Sequence, residues 1–298
     1  MYILILFFLI ITILFISWNL YRTFYTTETT LSLDENGIAF RDYGIKNGKM
    51  IGKHYNPVFA GSFSLKFYKD FKQSGNETAK QYLINNAEWV LENVKEKENY
   101  SIYIYDFPWD DYNLPKDEWV DALAQTRMML ILIRAHELTN DERYLYAAES
   151  LLKALYVEVK DGGVTYKDEN GWWYEHFAHP DGDHPRVLNA HLIVLSELDE
   201  FIKYTDSESA KFLFHKGLEA AINDLHYYDL NGYTWLNRVG DPSTFGYHKI
   251  HIEQTKNLYD ITGEKKFLEY YEKWNSCEYL CQNWNFYYNY VLKKIGLN

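Results

Sequence analysis

From Pro57 onward, apolar residues recur at the three- and four-residue intervals of helices that bury one face. The pattern predicts helices near 57–72, 77–95, 117–138, 141–158, 185–204, 207–225, 247–261 and 264–282, with a last one near 285–295. A phrase repeats between them: one helix closes on a polar turn, and the next opens on an acidic turn followed by an aromatic residue and leucine. It reads His136-Glu-Leu-Thr-Asn-Asp-Glu-Arg-Tyr-Leu, then Tyr204-Thr-Asp-Ser-Glu-Ser-Ala-Lys-Phe-Leu, then Asp260-Ile-Thr-Gly-Glu-Lys-Lys-Phe-Leu. The Asn, Asp and Ser residues cap helix starts, and the glutamates complement the N-terminal dipole. Short turns between long helices require antiparallel hairpins. Three or four in series predict an all-α array, either an open solenoid or a closed (α/α) barrel or toroid. Aromatic-rich loops at 99–116, 159–184 and 226–246 favour the toroid, because loops gathered at one end make a cleft.

Ahead of the helices the pattern changes. Residues 23–56 form a polar connector with turn signals at Asn36-Gly37 and Asn47-Gly48, and alternation around Leu31–Phe40 predicts a short β-hairpin. Before it, Tyr2 to Trp18 carry no charge, and the first cation is Arg22. At a rise of ~1.5 Å per residue this run barely spans a hydrocarbon core of ~30 Å. No basic region precedes it and no clear small-x-small cleavage site follows, so an uncleaved single-pass membrane anchor is expected rather than a signal peptide. Arg22 leans its own flank inward only weakly. Sequons at Asn76 and Asn99 fit an extracytoplasmic or lumenal domain. The expected organisation is an anchor at 1–22, a connector at 23–56 and one helical domain at 57–298.

Charge and composition narrow the function. A formal net charge of −12 removes electrostatic support for phosphate binding, so nucleic acid is not expected as a partner. An anionic sugar remains compatible, provided a few cations are placed locally. The aromatic share, 18%, is high; such rings either fill a core or stack on sugar C–H faces. Cys277 and Cys281 fall on one helical face and read as two half-buried thiols, with a bridge left open. No metal-ligand cluster appears. A divalent cation is compatible with the loops as a structural prop, and no cofactor is required. No glycine-rich nucleotide motif is convincing, which argues against a kinase or dehydrogenase.

Four blocks, in order, carry a family resemblance. The helix that opens Trp119-Val-Asp-Ala-Leu-Ala-Gln-Thr-Arg and runs to Ala135-His-Glu-Leu-Thr resembles W-Y-S-A-M-A-Q-G-Q followed by an R-A-Y helix ending in L-T. Gly162-Gly163-Val164 leads to Trp173-Tyr-Glu-His-Phe, similar to W-Y-E-E-Y. Val187-Leu-Asn-Ala-His-Leu resembles V-L-N-G-F, and Tyr247-His-Lys-Ile-His-Ile-Glu-Gln resembles Y-H-x-x-H-I-N-Q. The ordered set, over residues 56–275, resembles the C-terminal helical catalytic domain of the D-glucuronyl C5-epimerases. The resemblance implies an (α/α) barrel, a uronic-acid-containing glycan as substrate, and conversion of glucuronate to iduronate residues.

That reaction removes a proton α to a carboxylate and returns one to the opposite face, so it needs a base, an acid and groups that hold the carboxylate. The resemblance places Tyr247 first among catalytic residues, with Glu175, Tyr174 and His176 beside it. His176 stands where the family has a second glutamate, and its ordinary pKa of ~6.5 suits proton transfer. Arg238 is the expected carboxylate contact, since its planar fork binds bidentately. Gln125, Asn189 and Arg127, which replaces a family glutamine, are expected sugar or carboxylate ligands if not helix–helix hydrogen bonds. His248, His251, Trp173, Trp235 and Tyr233 complete the expected binding set. Two departures stand out: Phe177 occupies the position of a catalytic tyrosine in W-Y-E-E-Y, and Trp235 that of the tyrosine before the arginine. The loop Asp106-Phe-Pro-Trp-Asp-Asp-Tyr fits a cleft rim or a packed Ω-loop. A non-catalytic glycan-binding module, or a uronan lyase or hydrolase on the same scaffold, are the rival readings, and homodimerisation is left open.

Overall fold

The computed structural model describes residues 29–114 and 118–276. The expected membrane span, the Cys277–Cys281 pair and the helix near 285–295 lie outside the described residues. Among the described residues, no helix is long and apolar enough to cross a membrane.

Eight helices make four antiparallel hairpins: α1 (Pro57–Ser74) with α2 (Glu77–Asn93), α3 (Ala122–Thr139) with α4 (Glu142–Lys153), α5 (Leu188–Thr205) with α6 (Glu208–Asp224), and α7 (Phe245–Thr262) with α8 (Lys265–Trp274). The repeated polar phrase is the hairpin turn itself. Thr139, Thr205 and Thr262 each return a hydroxyl to the carbonyl four residues back, at 2.8, 2.8 and 2.6 Å. The next residue, Asn140, Asp206 or Gly263, is left-handed (φ 57°, 54° and 72°) and closes the helix. The residue after that, Asp141, Ser207 or Glu264, donates its backbone N–H to the same threonine oxygen and starts the partner helix. Asn56, Asn76, Asp121, Asp141, Ser207 and Thr244 each accept first-turn N–H groups as N-caps.

The first helices of the hairpins, α1, α3, α5 and α7, touch in series and form an inner row. Helix α3 lies between α1, α2, α4 and α5, which explains why it is apolar around most of its circumference and buries Leu123, Met128, Met129 and Ile131 to Ile133. Helices α1 and α7 make no comparable contact, so among the described residues the expected closed ring is an arc.

The expected hairpin is present: Thr30–Leu33 pairs antiparallel with Ala39–Asp42, and Lys53–Tyr55 adds a third strand. The all-α expectation is corrected by four further two-stranded ladders. One is Ile45–Lys46 with Lys49–Met50, and three lie in the helix connectors: Lys95–Glu96 with Ser101–Ile102, Thr165–Asp168 with Gly171–Tyr174, and Asp229–Leu230 with Tyr233–Thr234. Strands this short show too few alternations to stand out in a sequence. The third helix also starts later than expected, because Trp119 and Val120 bridge to Tyr105 and Ala178 instead. Tight turns occupy one end of the arc, so the long connectors and all four inner-helix N-termini gather at the other. That end holds the site.

Candidate active site

Asp121 anchors the first cluster. It is fully buried, caps α3 through Leu123 N–H at 2.8 Å, and lies 3.0 Å from His176 Nδ1 through the same oxygen. The two atoms are in contact without the geometry of a hydrogen bond. His176 is 23% exposed, which makes the imidazole the member that reaches solvent. Tyr105 and Tyr43 sit near the same carboxylate. Burial first, and Asp121 after it, push both phenols up, so they stay protonated donors.

An aromatic wall backs this cluster. Phe177 lies 4.2 Å from His176, 5.1 Å from Tyr112, 5.5 Å from Trp119 and 6.2 Å from Trp109. Where the resemblance calls for a tyrosine, the ring is kept and the hydroxyl is lost. The expected rim loop supplies another. Tyr112 and Asn113 both adopt left-handed backbone, φ 61° and 51°, which turns the chain sharply before Leu114. The Tyr112 hydroxyl accepts from Asn237 Nδ2 at 3.1 Å, and Asn237 also donates to Asp241 at 2.9 Å. Burial, then Asp241, Asp111 and the Tyr247 phenol, push Tyr112 up to about 12. The Tyr247 phenol is the smallest of these contributions. Tyr247 lies in the first turn of α7, donates its N–H to Thr244 Oγ1, and is 41% exposed.

Glu175 forms a third element. It is completely buried; one oxygen accepts the Arg186 backbone N–H at 3.0 Å, and the other has no partner among the described residues. Burial outweighs the help from Arg186 and raises its pKa to about 8, leaving a neutral acid at pH 7. The segment that delivers Arg186 is strained, with His184 and Arg186 both at positive φ (49° and 51°) around Pro185. The Arg186 guanidinium holds Asp168 at 2.7 Å and Asp224 at 2.9 Å. Arg238 shares Asp224 at 2.9 Å and stacks on Tyr227 at 3.7 Å. The expected carboxylate contact is thus one of two arginines whose charge is balanced by two aspartates.

Several expected site residues are placed elsewhere. The Tyr174 hydroxyl is buried and donates to the Leu213 carbonyl at 2.6 Å, so Tyr174 is a core residue. Trp173 is buried between His191 and Tyr228, at 4.0 and 5.5 Å. The Gln125 amide, fully buried, is taken up by the backbone of Tyr103 and Asp121. Arg127 pairs with buried Glu197 on α5 at 2.8 Å and binds helix to helix. His248 and His251 are buried and lowered by burial to about 4 and about 3; both meet Thr234 Oγ1, at 3.1 and 2.9 Å. Tyr233 stacks on His248 at 4.2 Å, and Trp235 bridges to Pro242. Asn189 receives Gln254 on its carbonyl at 3.1 Å, and its amide oxygen is buried without a partner among the described residues. Among those residues no three His, Cys, Asp or Glu side chains are placed to hold a metal ion.

Four residues of the cluster lie outside the expected set: Asp121, Tyr112, Asn237 and Arg186. Asp121 shows a local signal, as an aspartate directly before a helical run, but its partner His176 is 55 positions away, from 121 to 176.

The family described as D-glucuronyl C5-epimerase C-terminus matches residues 96–276, more than half of the chain. The chain belongs to this family. An uncharacterized protein of Methanocaldococcus jannaschii is 30% identical over 250 residues, 78% of this chain and 80% of that one. The D-glucuronyl C5-epimerase of Caenorhabditis elegans is 24% identical over 207 residues, 63% of this chain and 33% of its own length. Cellobiose 2-epimerase from Bacillus thermoamylovorans superposes with a TM-score of 0.56 at 12% identity, covering 75% of this chain and 62% of that one. An unsaturated glucuronyl hydrolase from Bacillus sp. GL1 gives 0.51 at 12%, covering 73% and 60%. The chain therefore spans about three-fifths of these structures and a third of the nematode enzyme. At such identities the structures establish a shared helical fold. Asp121, His176, Tyr112, Glu175, Arg238 and Tyr247 all fall within the epimerase-family match.

Proposed function

We propose that the chain is a uronate C5-epimerase-like enzyme that converts D-glucuronate to L-iduronate residues within a glycan. What supports this reading is the epimerase-family match together with two acid–base pairs assigned to the connector end, His176 with Asp121 and Tyr247 with Tyr112. In this reading one pair breaks the C5–H bond, and the electron pair passes into the carboxylate as an enediolate. The other pair returns a proton to C5 from the opposite face. Arg238, part-exposed and sharing Asp224 with Arg186, is the group assigned to the carboxylate. Each positioned acid or base contributes ~10²–10⁴-fold. The inner-helix N-termini add positive potential at the same end, and the apolar run at residues 1–22 tethers the domain to a membrane.

A second reading, a glycan-binding module without catalysis, is favoured by Phe177 in place of the family tyrosine. Incubating the full chain with a panel of glucuronate polymers and following the products by proton NMR and ultraviolet absorbance separates the readings. Iduronate signals support the epimerase; an unsaturated product absorbing in the ultraviolet identifies a lyase. Polymer that binds and is returned unchanged leaves the binding module.

A further inference from the structure

The Asn47-Gly48 turn places two lysines at the rim of the site. Both turn residues are left-handed, φ 52° and 77°, which folds Lys49–Met50 tightly back on Ile45–Lys46. Lys46 and Lys49 stand directly opposite each other in that ladder, so both side chains leave the same face. Two like charges so placed repel. Each is met by a carboxylate of the rim loop: Lys46 Nζ lies 2.6 Å from Asp111 Oδ2, and Lys49 Nζ lies 2.7 Å from Asp110 Oδ1. The Lys46 ammonium also sits 3.4 Å from the centre of the Trp109 ring. Trp109 stacks on Phe177, and Phe177 touches His176. The four charged side chains are 23–47% exposed, and ion pairs in such settings add little to stability. Their larger effect is on the field at the mouth. Asp110 and Asp111 directly precede Tyr112, and Asp106 on the same loop is 85% exposed. A bare rim would add three negative charges in six residues to a chain of net charge −12.

Resting on the uronate reading above, we propose that Lys46 and Lys49 are specificity-determining residues: they cancel the charge of Asp111 and Asp110, so that an anionic glycan can approach a rim that would otherwise repel it. Like-charge juxtaposition suppresses binding, and its removal admits the anion without any new contact. The hairpin that carries the lysines lies ahead of the family match, which begins at residue 96. Admission of the polyanion is therefore set by a part of the chain separate from the residues assigned to proton transfer.

Calorimetric titration of the full chain with a hyaluronan tetrasaccharide and a glucuronate oligomer of the same length tests this. Lys46→Ala with Lys49→Ala leaves two bare carboxylates and is expected to weaken binding about tenfold at ~0.01 M salt, where fields reach ~30 Å. The loss should shrink to about threefold at ~0.15 M, where they reach ~8 Å. Adding Asp110→Asn and Asp111→Asn to that variant is expected to restore affinity to within about twofold of the parent, although both ion pairs are gone. The two asparagine substitutions alone, with the lysines kept, should tighten binding. Unchanged affinity in the lysine variant overturns the proposal while the uronate reading stands. So does a quadruple variant as weak as the lysine variant, or a loss that ignores salt, because a mechanical latch would behave in that way. Failure of both probes to bind the parent chain overturns the uronate reading on which the proposal rests.

Discussion

The resemblance places Tyr247 first and Tyr174 beside it, and their surroundings assign them opposite fates. The Tyr247 hydroxyl stands at an exposed helix start, so Tyr247→Phe is expected to leave the unfolding midpoint nearly unchanged and lower turnover by ~10²-fold or more. The Tyr174 hydroxyl is fully buried on the Leu213 carbonyl, inside the helix Glu208–Asp224, so Tyr174→Phe removes one buried hydrogen bond. It is expected to cost about 0.5–1.5 kcal/mol in denaturant unfolding and leave turnover per folded molecule intact. Asp121→Asn separates the two roles of a single side chain. Asparagine caps a helix as well as aspartate does, so stability should hold, whereas a neutral amide no longer supports an imidazolium on His176. Turnover is expected to fall ~10²–10⁴-fold, read as the ratio of kcat/KM for variant and parent. Tyr247 and His176 were legible because blocks of neighbouring residues marked them. Asp121, Tyr112 and Asn237 were not, because what makes them functional is a partner brought near only by the packing of three connectors.

The helical hairpins were the most legible elements, since capping is local: the threonine, the left-handed residue and the next N–H occupy three consecutive positions in three of the four turns. The small ladders were illegible for the opposite reason. Thr165–Asp168 and Gly171–Tyr174 are held in place by docking on α6, and the sequence signal for that docking is a pair of glycines, Gly171 and, on α6, Gly217, where a Cβ would meet the Tyr174 ring at 2.5 Å. Gly171 has φ 128°, and a Cβ there would meet Ala220 N at 2.6 Å and Lys216 O at 2.8 Å, both backbone atoms. Gly171→Ala is therefore expected to shift the hairpin that carries Trp173 to Glu175. A loss of about 1–3 kcal/mol in chemical denaturation, with a matching fall in activity, is the expected outcome; unchanged stability would contradict the docking.

At the scale of the molecule, buried titratable groups set how stability follows pH. Glu175 and Glu197 are raised from 4.5 to about 8 and about 7, so the folded state keeps protons that the unfolded chain releases. Their stabilisation is complete below pH 4.5 and is lost as pH rises through 7 and 8. His191, His248 and His251 are lowered from 6.5 to about 3, about 4 and about 3, so their share is present above pH 6.5 and is lost as pH falls toward 3. Three histidines outweigh two glutamates between pH 4.5 and 6.5, and only the glutamates act above it. Stability is expected to peak near pH 6.5 in thermal scans across pH, and Glu175→Gln should flatten the alkaline limb. The series of hairpins was foreseeable at this scale, because each turn carries its own capping signal. The most direct test of the central claim is solvent exchange at C5. The full chain is incubated with a panel of glucuronate polymers in heavy water, and the products are read by NMR. Deuterium at C5 in both glucuronate and iduronate, appearing ~10²–10⁴-fold more slowly with Asp121→Asn, is the predicted result; a polymer that binds and acquires no label at C5 would contradict the epimerase.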